Sequence, residues 1–235
     1  EAYYETSRFR MKHAAELSVS PYSRDYWDPL NIYVCTTVTN AMYRADTNGI
    51  YIFAGICEEP VYSKDFSYEE KLGGLFAIVG HEITHGFDKN GAMYDKTGKK
   101  NSWLPEEDQM RFNDLNDKVA RYYTQLSPYP ASGMYDGSMV NAEATADMGG
   151  LRVTLYMASL KPDFDYDRYF KQFATVWRTN VPLEKEKESF ESDVHPLAFY
   201  RVNVGVQQFD EFYETYDVKE TDNMYLAPEK RIKVW

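Results

Sequence analysis

The sequence lacks any apolar run long enough to cross a bilayer as a helix, and it opens with neither a basic n-region nor an apolar h-region. It also lacks a basic tract. Its 37 acids outnumber 26 Lys and Arg, leaving a net charge of −11 and a pI near 4.9. So acidic a chain repels polyphosphate backbones and anionic lipid, so neither nucleic acid nor membrane contact is expected of it. Cysteine is nearly absent. Cys35 and Cys57 cannot build a disulfide framework. Both stand in β-like apolar surroundings, where a small buried hydrophobe is the expected role and a single inter-strand disulfide the alternative. No Asn-x-Ser/Thr sequon occurs, so nothing points to a heavily processed ectodomain. The first residue is Glu1 and not Met, so the natural N-terminus is expected to lie elsewhere.

The 235 residues are 43% hydrophobic and 27% charged, an ordinary globular balance in a chain most simply read as one domain, 1–235. Residues 2–18 read as a helix in which His13, among Arg8, Arg10 and Lys12, is a surface histidine. Residues 31–40 and 50–56 are rich in β-branched and aromatic types and are expected to be strands, paired across the turn Asp46-Thr47-Asn48-Gly49. Ser67-Tyr68-Glu69-Glu70 is a capping box that opens a buried helix reaching about Phe87. Gly73, Gly74 and Gly80 weaken that helix, and close packing against another backbone would account for them. Further helices are expected over 105–126, with Pro105 at its first position, over 138–160 and over 166–179. The remainder reads as short helical pieces, and the Glu184–Glu188 charge run as a solvated face or loop.

The chemistry concentrates in His81-Glu82-Ile83-Thr84-His85. On a helix, positions i and i+4 share a face, so both imidazoles can bind one tetrahedral zinc, leaving Glu82 beside it to act on water. Three fixed letters recur by chance. The buried setting strengthens the pattern, because two imidazoles beside a carboxylate are costly in a core that does not use them. A third ligand must come from another element. Glu143 and Asp147, also i and i+4 and set among small residues, can supply one metal ligand and one acceptor for a ligand histidine's second N–H. Asp193-Val194-His195-Pro196, with Arg201 six residues on, offers His195 as a donor to a developing oxyanion and Arg201 as a clamp for a carbonyl or carboxylate. Taken alone, Arg201 reads as an ordinary salt bridge.

Taken together, these motifs resemble the neprilysin family of zinc endopeptidases, which includes endothelin-converting enzymes and bacterial neprilysin-like oligopeptidases. His81–Asp88, Glu143-x-x-x-Asp147, Asp193-x-His195-Pro196 with Arg201, and Pro228-Glu229-Lys230…Val234-Trp235 occur in the family's order, and Asn40-Ala41-Met42-Tyr43 is similar to its substrate strand. The resemblance implies an α+β, mainly helical, thermolysin-like catalytic domain, with a small sheet beside the His-Glu-x-x-His helix. It implies one zinc per chain on His81, His85 and Glu143, and Glu82 as general base. It further implies Asp147 as a buttress, His195 stabilising the transition state, and Asn40, Ala41 and Arg201 holding an oligopeptide substrate. Cleavage would fall on the amino side of bulky apolar residues, with Ala77 and Ile78 as candidates to line that pocket. A non-catalytic, zinc-containing or peptide-binding subunit is the competing reading.

Several positions depart from the family. Ala144 stands in place of an Asn, Phe53 in place of a Pro, and Met42 in place of an aromatic. Ile232 replaces the near-terminal cysteine of extracellular animal members, which fits a bacterial-type member. The largest departure is length, because the family carries a helical cap domain that this chain does not contain. That missing part is the expected partner, and an open cleft or apolar surface is expected where it packs.

Overall fold

The computed structural model describes residues 1–20, 36–101, 103–129 and 134–234. It is mainly helical with one small sheet, as expected. Helix α1 (Ala2–Ser18) forms over the expected residues and buries none of them. His13 stacks on Phe9 there, ring centroids 6.3 Å apart.

The sheet is displaced from its expected place. Strands β1 (Ala41–Arg44) and β2 (Gly49–Ile52) pair antiparallel, with Ala41 opposite Ile52 and Arg44 opposite Gly49. Residues 31–35 of the expected first strand lie outside the described residues. Residues 36–40 bend, the Asn40 N–H donating to Val38 O at 3.0 Å. The bend follows from how closely this segment wraps the next one. Ala54 N–H reaches Thr36 O at 2.8 Å, and a Cβ on Gly55 would lie 2.2 Å from Thr37 O. The second strand stops at Ile52 for the same reason, and Ala54–Ile56 close into a 3₁₀ turn. Cys57 follows that turn and is exposed, which corrects the expectation of a buried hydrophobe.

The capping box at Ser67 is present in both directions. Ser67 Oγ accepts the Glu70 N–H at 3.2 Å, and Glu70 Oε2 accepts the Ser67 N–H at 2.7 Å. The helix it opens is interrupted and not continuous. Helix α2 (Tyr68–Lys71) passes into a π turn over Leu72–Phe76, in which Gly74 leaves the helical region at φ −94°, ψ −115°. The break serves packing. A Cβ on Gly73 would meet Tyr169 O, and one on Gly74 would meet Val61 O, each at 2.3 Å. Helix α3 (Ala77–Thr84) then carries the motif and ends in the single 3₁₀ turn His85–Phe87.

Helix α4 (Glu106–Thr124) places Pro105 at its N-cap, one residue earlier than expected, with Glu106, Glu107 and Asp108 against its positive end. Helix α5 (Gly137–Ser159) is capped by Asp136, whose Oδ1 accepts the Ser138 N–H at 3.0 Å. It is the buried centre of the molecule, covered by α3, α4 and later helices. Helix α6 (Tyr166–Val176) ends three residues short of the expected boundary. The charge run forms α7 (Leu183–Ser192), laced by Lys185–Glu188 at 2.8 Å and Lys187–Glu184 at 3.3 Å. Helices α8 (Ala198–Val206) and α9 (Asp210–Tyr216) complete the order. Two apolar clusters flank α5, one around Val119, Tyr123 and Met148, the other around Leu72, Leu151 and Tyr169.

The crossing of α3 and α5 positions everything that follows. A Cβ on Gly80 would lie 3.0 Å from Gly150 Cα, one on Gly150 would lie 2.6 Å from Ala77 O and 2.8 Å from His81 N, and one on Gly149 would lie 2.3 Å from Thr84 Oγ1. The two backbones touch, and a single methyl group forces them apart. Gly150→Ala is therefore expected to destabilise the fold by roughly 1–3 kcal/mol. Urea unfolding measures this, and a midpoint equal to the parent's would contradict it.

Candidate metal centre and active-site cleft

Helix α3 and the 3₁₀ turn that ends it present His81 and His85 on one face, and α5 presents Glu143 and Asp147 on the face opposite. One ligand atom each from His81, His85 and Glu143 falls within 4.8 Å of the other two. His81 Nε2 and His85 Nε2 are 3.0 Å apart. Glu143 Oε2 lies 3.2 Å from the first and 3.4 Å from the second.

The outer nitrogens decide what these atoms can do. His81 Nδ1 is 2.8 Å from Asp147 Oδ1, and His85 Nδ1 is 2.6 Å from Asp88 Oδ2. Each carboxylate accepts a hydrogen bond from Nδ1–H, and the network thereby assigns the tautomer in which a neutral imidazole keeps its lone pair on Nε2. Those lone pairs and Glu143 Oε2 point at one another. Oε2 is buried and has no hydrogen-bond partner. Acceptors that converge without a donor are a site built for a cation, and a two-imidazole, one-carboxylate set suits zinc. The residues present fit that metal.

Asp88 supports His85 and is not among the site residues expected from the sequence. It is 2% exposed, and its Oδ1 accepts the backbone N–H groups of Asn90 and Gly91, both at 2.7 Å. Its spacing, three residues after His85 at a helix end, was the available signal.

Asp147 is held from its far side by Arg201, which donates from Nε to Oδ2 at 2.9 Å and from Nη2 to Oδ1 at 2.7 Å. Arg201 is buried, so the ordinary salt bridge expected of the residue alone is here a desolvated bidentate bridge. His195 enters from the loop before α8. Its Nδ1 is 2.8 Å from Asp193 Oδ1, and its Nε2 is 3.3 Å from Glu143 Oε2. It stands beside the three-ligand group without joining it.

Glu82 is buried next to the ligands. Burial raises its pKa above the ordinary carboxylate value, against the lowering pull of the two histidines and of the Tyr43 backbone N–H. Burial also opposes ionisation of Glu143, but the two imidazoles overcome it and hold that carboxyl far below its usual range. For His85, burial works against protonation, and Asp88 and Glu143 outweigh it to raise the imidazole to about 10. His81 shifts upward through the same contest, with Asp147 and Glu143 as the winning partners.

These groups face a cleft of about 660 Å³. Asn40 and Ala41 of the β1 edge stand on one side of it. Ile56, Val61, Ile78, Val176 and Trp177 make an apolar wall. Ala77, the other expected pocket residue, turns away into the core beside Leu151.

The arrangement could hold a single metal ion in the manner of the His-Glu-x-x-His class, with a carboxylate from a second helix beside the two imidazoles. The chain belongs to peptidase family M13, whose family model matches residues 40–232. Among its relatives, the neutral endopeptidase of Lactococcus lactis subsp. lactis is 37% identical over 198 residues, 84% of this chain and 31% of that protein. Human neprilysin is 31% identical over 212 residues, 84% of this chain and 28% of that protein. The crystal structure of PepO from Lactobacillus rhamnosis superposes with a TM-score of 0.81 at 34% identity, covering 90% of this chain and 32% of that one. The inhibitor complex of the zinc metalloprotease Zmp1 from Mycobacterium tuberculosis gives 0.83 at 29% identity, covering 94% and 36%. The chain thus spans about a third of the length of the curated relatives it matches.

Two expectations follow. Asp88→Asn keeps the shape at position 88 but weakens its hold on the His85 Nδ1 proton, and is expected to lower metal affinity by roughly 10- to 100-fold, measured by chelator competition. The raised histidines also set two opposite pH dependences. Two protonated Nε2 atoms 3.0 Å apart would repel, so the metal-free pair carries one extra proton between them. Binding a divalent ion at pH 7 is expected to release about one proton, and metal affinity is expected to rise with pH. Stability of the metal-free fold runs the other way: the contribution from His85 is complete below the ordinary 6.5 and lost as pH rises through about 10. Calorimetry in buffers of different ionisation enthalpy, and urea unfolding across that range, measure both.

Proposed function

We propose that this chain carries the catalytic site of a zinc endopeptidase that cleaves oligopeptides. The observation that carries the reading is the convergence of two imidazole lone pairs and an unpartnered carboxylate oxygen beside the buried Glu82. His81, His85 and Glu143 would hold the zinc. Three protein ligands leave a coordination position for substrate or water, the pattern of catalytic and not of structural zinc, and this weighs against the non-catalytic subunit. Bound there, zinc would polarise the scissile carbonyl and make water a better nucleophile.

The remaining roles belong to the chain's own side chains. Glu82, raised in pKa by its burial, takes the proton of the attacking water and passes it to the leaving amine. Asp147 and Asp88 keep the two imidazoles in their ligating tautomer. His195, held by Asp193 through Nδ1, presents Nε2 to the oxygen on which charge develops. Asn40 and Ala41 at the edge of β1 receive the peptide backbone, and Arg201 binds a carbonyl of the substrate. The apolar wall of Ile78, Val176 and Trp177 supports a preference for a bulky apolar residue after the scissile bond.

The rest of a longer polypeptide is the proposed partner. The cleft is open to solvent, and Phe76, Ile83 and Phe87 stand exposed along one side of the motif helix, where further chain would cover them.

Hydrolysis of a quenched fluorescent peptide by the intact protein tests the function. Glu82→Gln is expected to lower kcat by roughly 10²- to 10⁴-fold while metal analysis still finds zinc bound. Equal rates in the two proteins would remove Glu82 from the mechanism.

A further inference from the structure

The Arg201 guanidinium is fixed in two directions by two different elements. Asp147 on α5 engages Nε and Nη2 in the guanidinium plane. A bridge of that kind still lets the plane tilt about the axis joining the two groups. The indole of Trp177, at the C-cap of α6, covers one face, with Arg201 Cζ 3.7 Å from the ring centroid. That is stacking distance for a cation on an aromatic face, and the ring removes the tilt. One edge of the guanidinium is then unspent: Nη1 makes no hydrogen bond among the described residues. Both Trp177 and Arg201 line the cleft.

We propose that Trp177 is a positioning residue that acts through Arg201, holding the guanidinium plane so that its free Nη1 edge meets a backbone carbonyl or carboxylate of a bound peptide. The inference rests on the peptidase reading for the identity of that ligand. A second observation supports it. Trp177 Nε1 is buried without a hydrogen-bond partner, so packing alone sets the ring, through Phe173 at 6.5 Å and the apolar clusters on either side. An orphaned indole N–H is a cost that phenylalanine would avoid while filling most of the same space. Tryptophan offers the stronger cation–π face in return.

The test is a double-mutant cycle in the intact protein, with Trp177→Leu and Trp177→Phe each made in the parent and in Arg201→Met. Two quantities are read: KM and kcat for a fluorescent peptide, and the Kd of the same peptide for metal-free protein, which cannot cleave it, by fluorescence anisotropy. Trp177→Leu is expected to raise KM and Kd roughly tenfold in the parent and less than about twofold beside Arg201→Met, with Trp177→Phe within about threefold of the parent. Equal losses in both backgrounds, or no loss in the parent, would reduce Trp177 to packing and overturn the proposal. Should Trp177→Leu fail to fold, fluorinated tryptophan placed at 177 weakens the ring's electrostatic face without altering its shape. Kd rising stepwise with fluorination supports the proposal, and a constant Kd overturns it. A parent protein that binds the peptide without cleaving it sinks the peptidase reading while the Kd measurements still decide the role of Trp177. One that neither binds nor cleaves overturns both.

Discussion

Two helices touch through glycine, and the gathering of His81, His85 and Glu143 into a candidate metal centre is a consequence of how closely they do so. His81 belongs to α3 and His85 to the 3₁₀ turn that ends it, Glu143 and Asp147 to α5, and nothing within either segment sets the distance between the pairs. Gly80, Gly149 and Gly150 set it. With no Cβ on either side of the seam, the helices pack backbone to backbone, and side chains one turn along the crossing arrive within ligand distance of one another. The break at Gly74 contributes to the same end, because it lets α3 leave the line of α2 while Gly73 and Gly74 pack against Tyr169 and Val61. Glycine is an expensive helix residue, and here the cost purchases proximity.

Around that seam the charges are arranged so that each buried group has a counterpart. Asp147 lies between His81 and Arg201, Asp88 between His85 and two backbone N–H groups, and Arg201 between Asp147 and the face of Trp177. Removing one member from such a chain strands its neighbours in a low-dielectric interior. Glu143 is the exception. Its Oε2 makes no hydrogen bond and faces the Nε2 atoms of His81 and His85, an arrangement that would accommodate a cation.

Much of this was legible in the residues. Ser67 and Glu70 announced a helix start that the structure reproduces bond for bond, and the i, i+4 spacings of His81/His85 and Glu143/Asp147 announced which side chains share a face. Gly80 suggested close packing, but the partner glycines of α5 could not be matched to it, because a packing seam is a property of two segments and each shows only half of it. The sheet was misplaced for a related reason. Residues 36–40 have strand-forming side chains, yet their path is set by the approach of Gly55, and β propensity describes a fit to neighbours more than a backbone preference. Asp88 is no fixed letter of the motif, and only the turn that ends at Phe87 brings its carboxylate back to His85. Cys57 was read as buried from apolar neighbours in sequence, and the turn that exposes it depends on where the strand ends.

The two histidine supports differ in one further respect, the length of chain between the partners. His85 finds Asp88 three residues away, at the end of its own helix. His81 finds Asp147 across 66 residues, and Arg201 closes on Asp147 across 54 more. One half of the centre is therefore available as soon as a single turn of chain has formed. The other half exists only after α5 has docked and α8 has come to rest against it. Loop closure places such long-range contacts late in the order of assembly. A metal held by all three side chains would thus act as a certificate of completed folding: a chain that has not yet brought its distant helices together would hold metal weakly and release it.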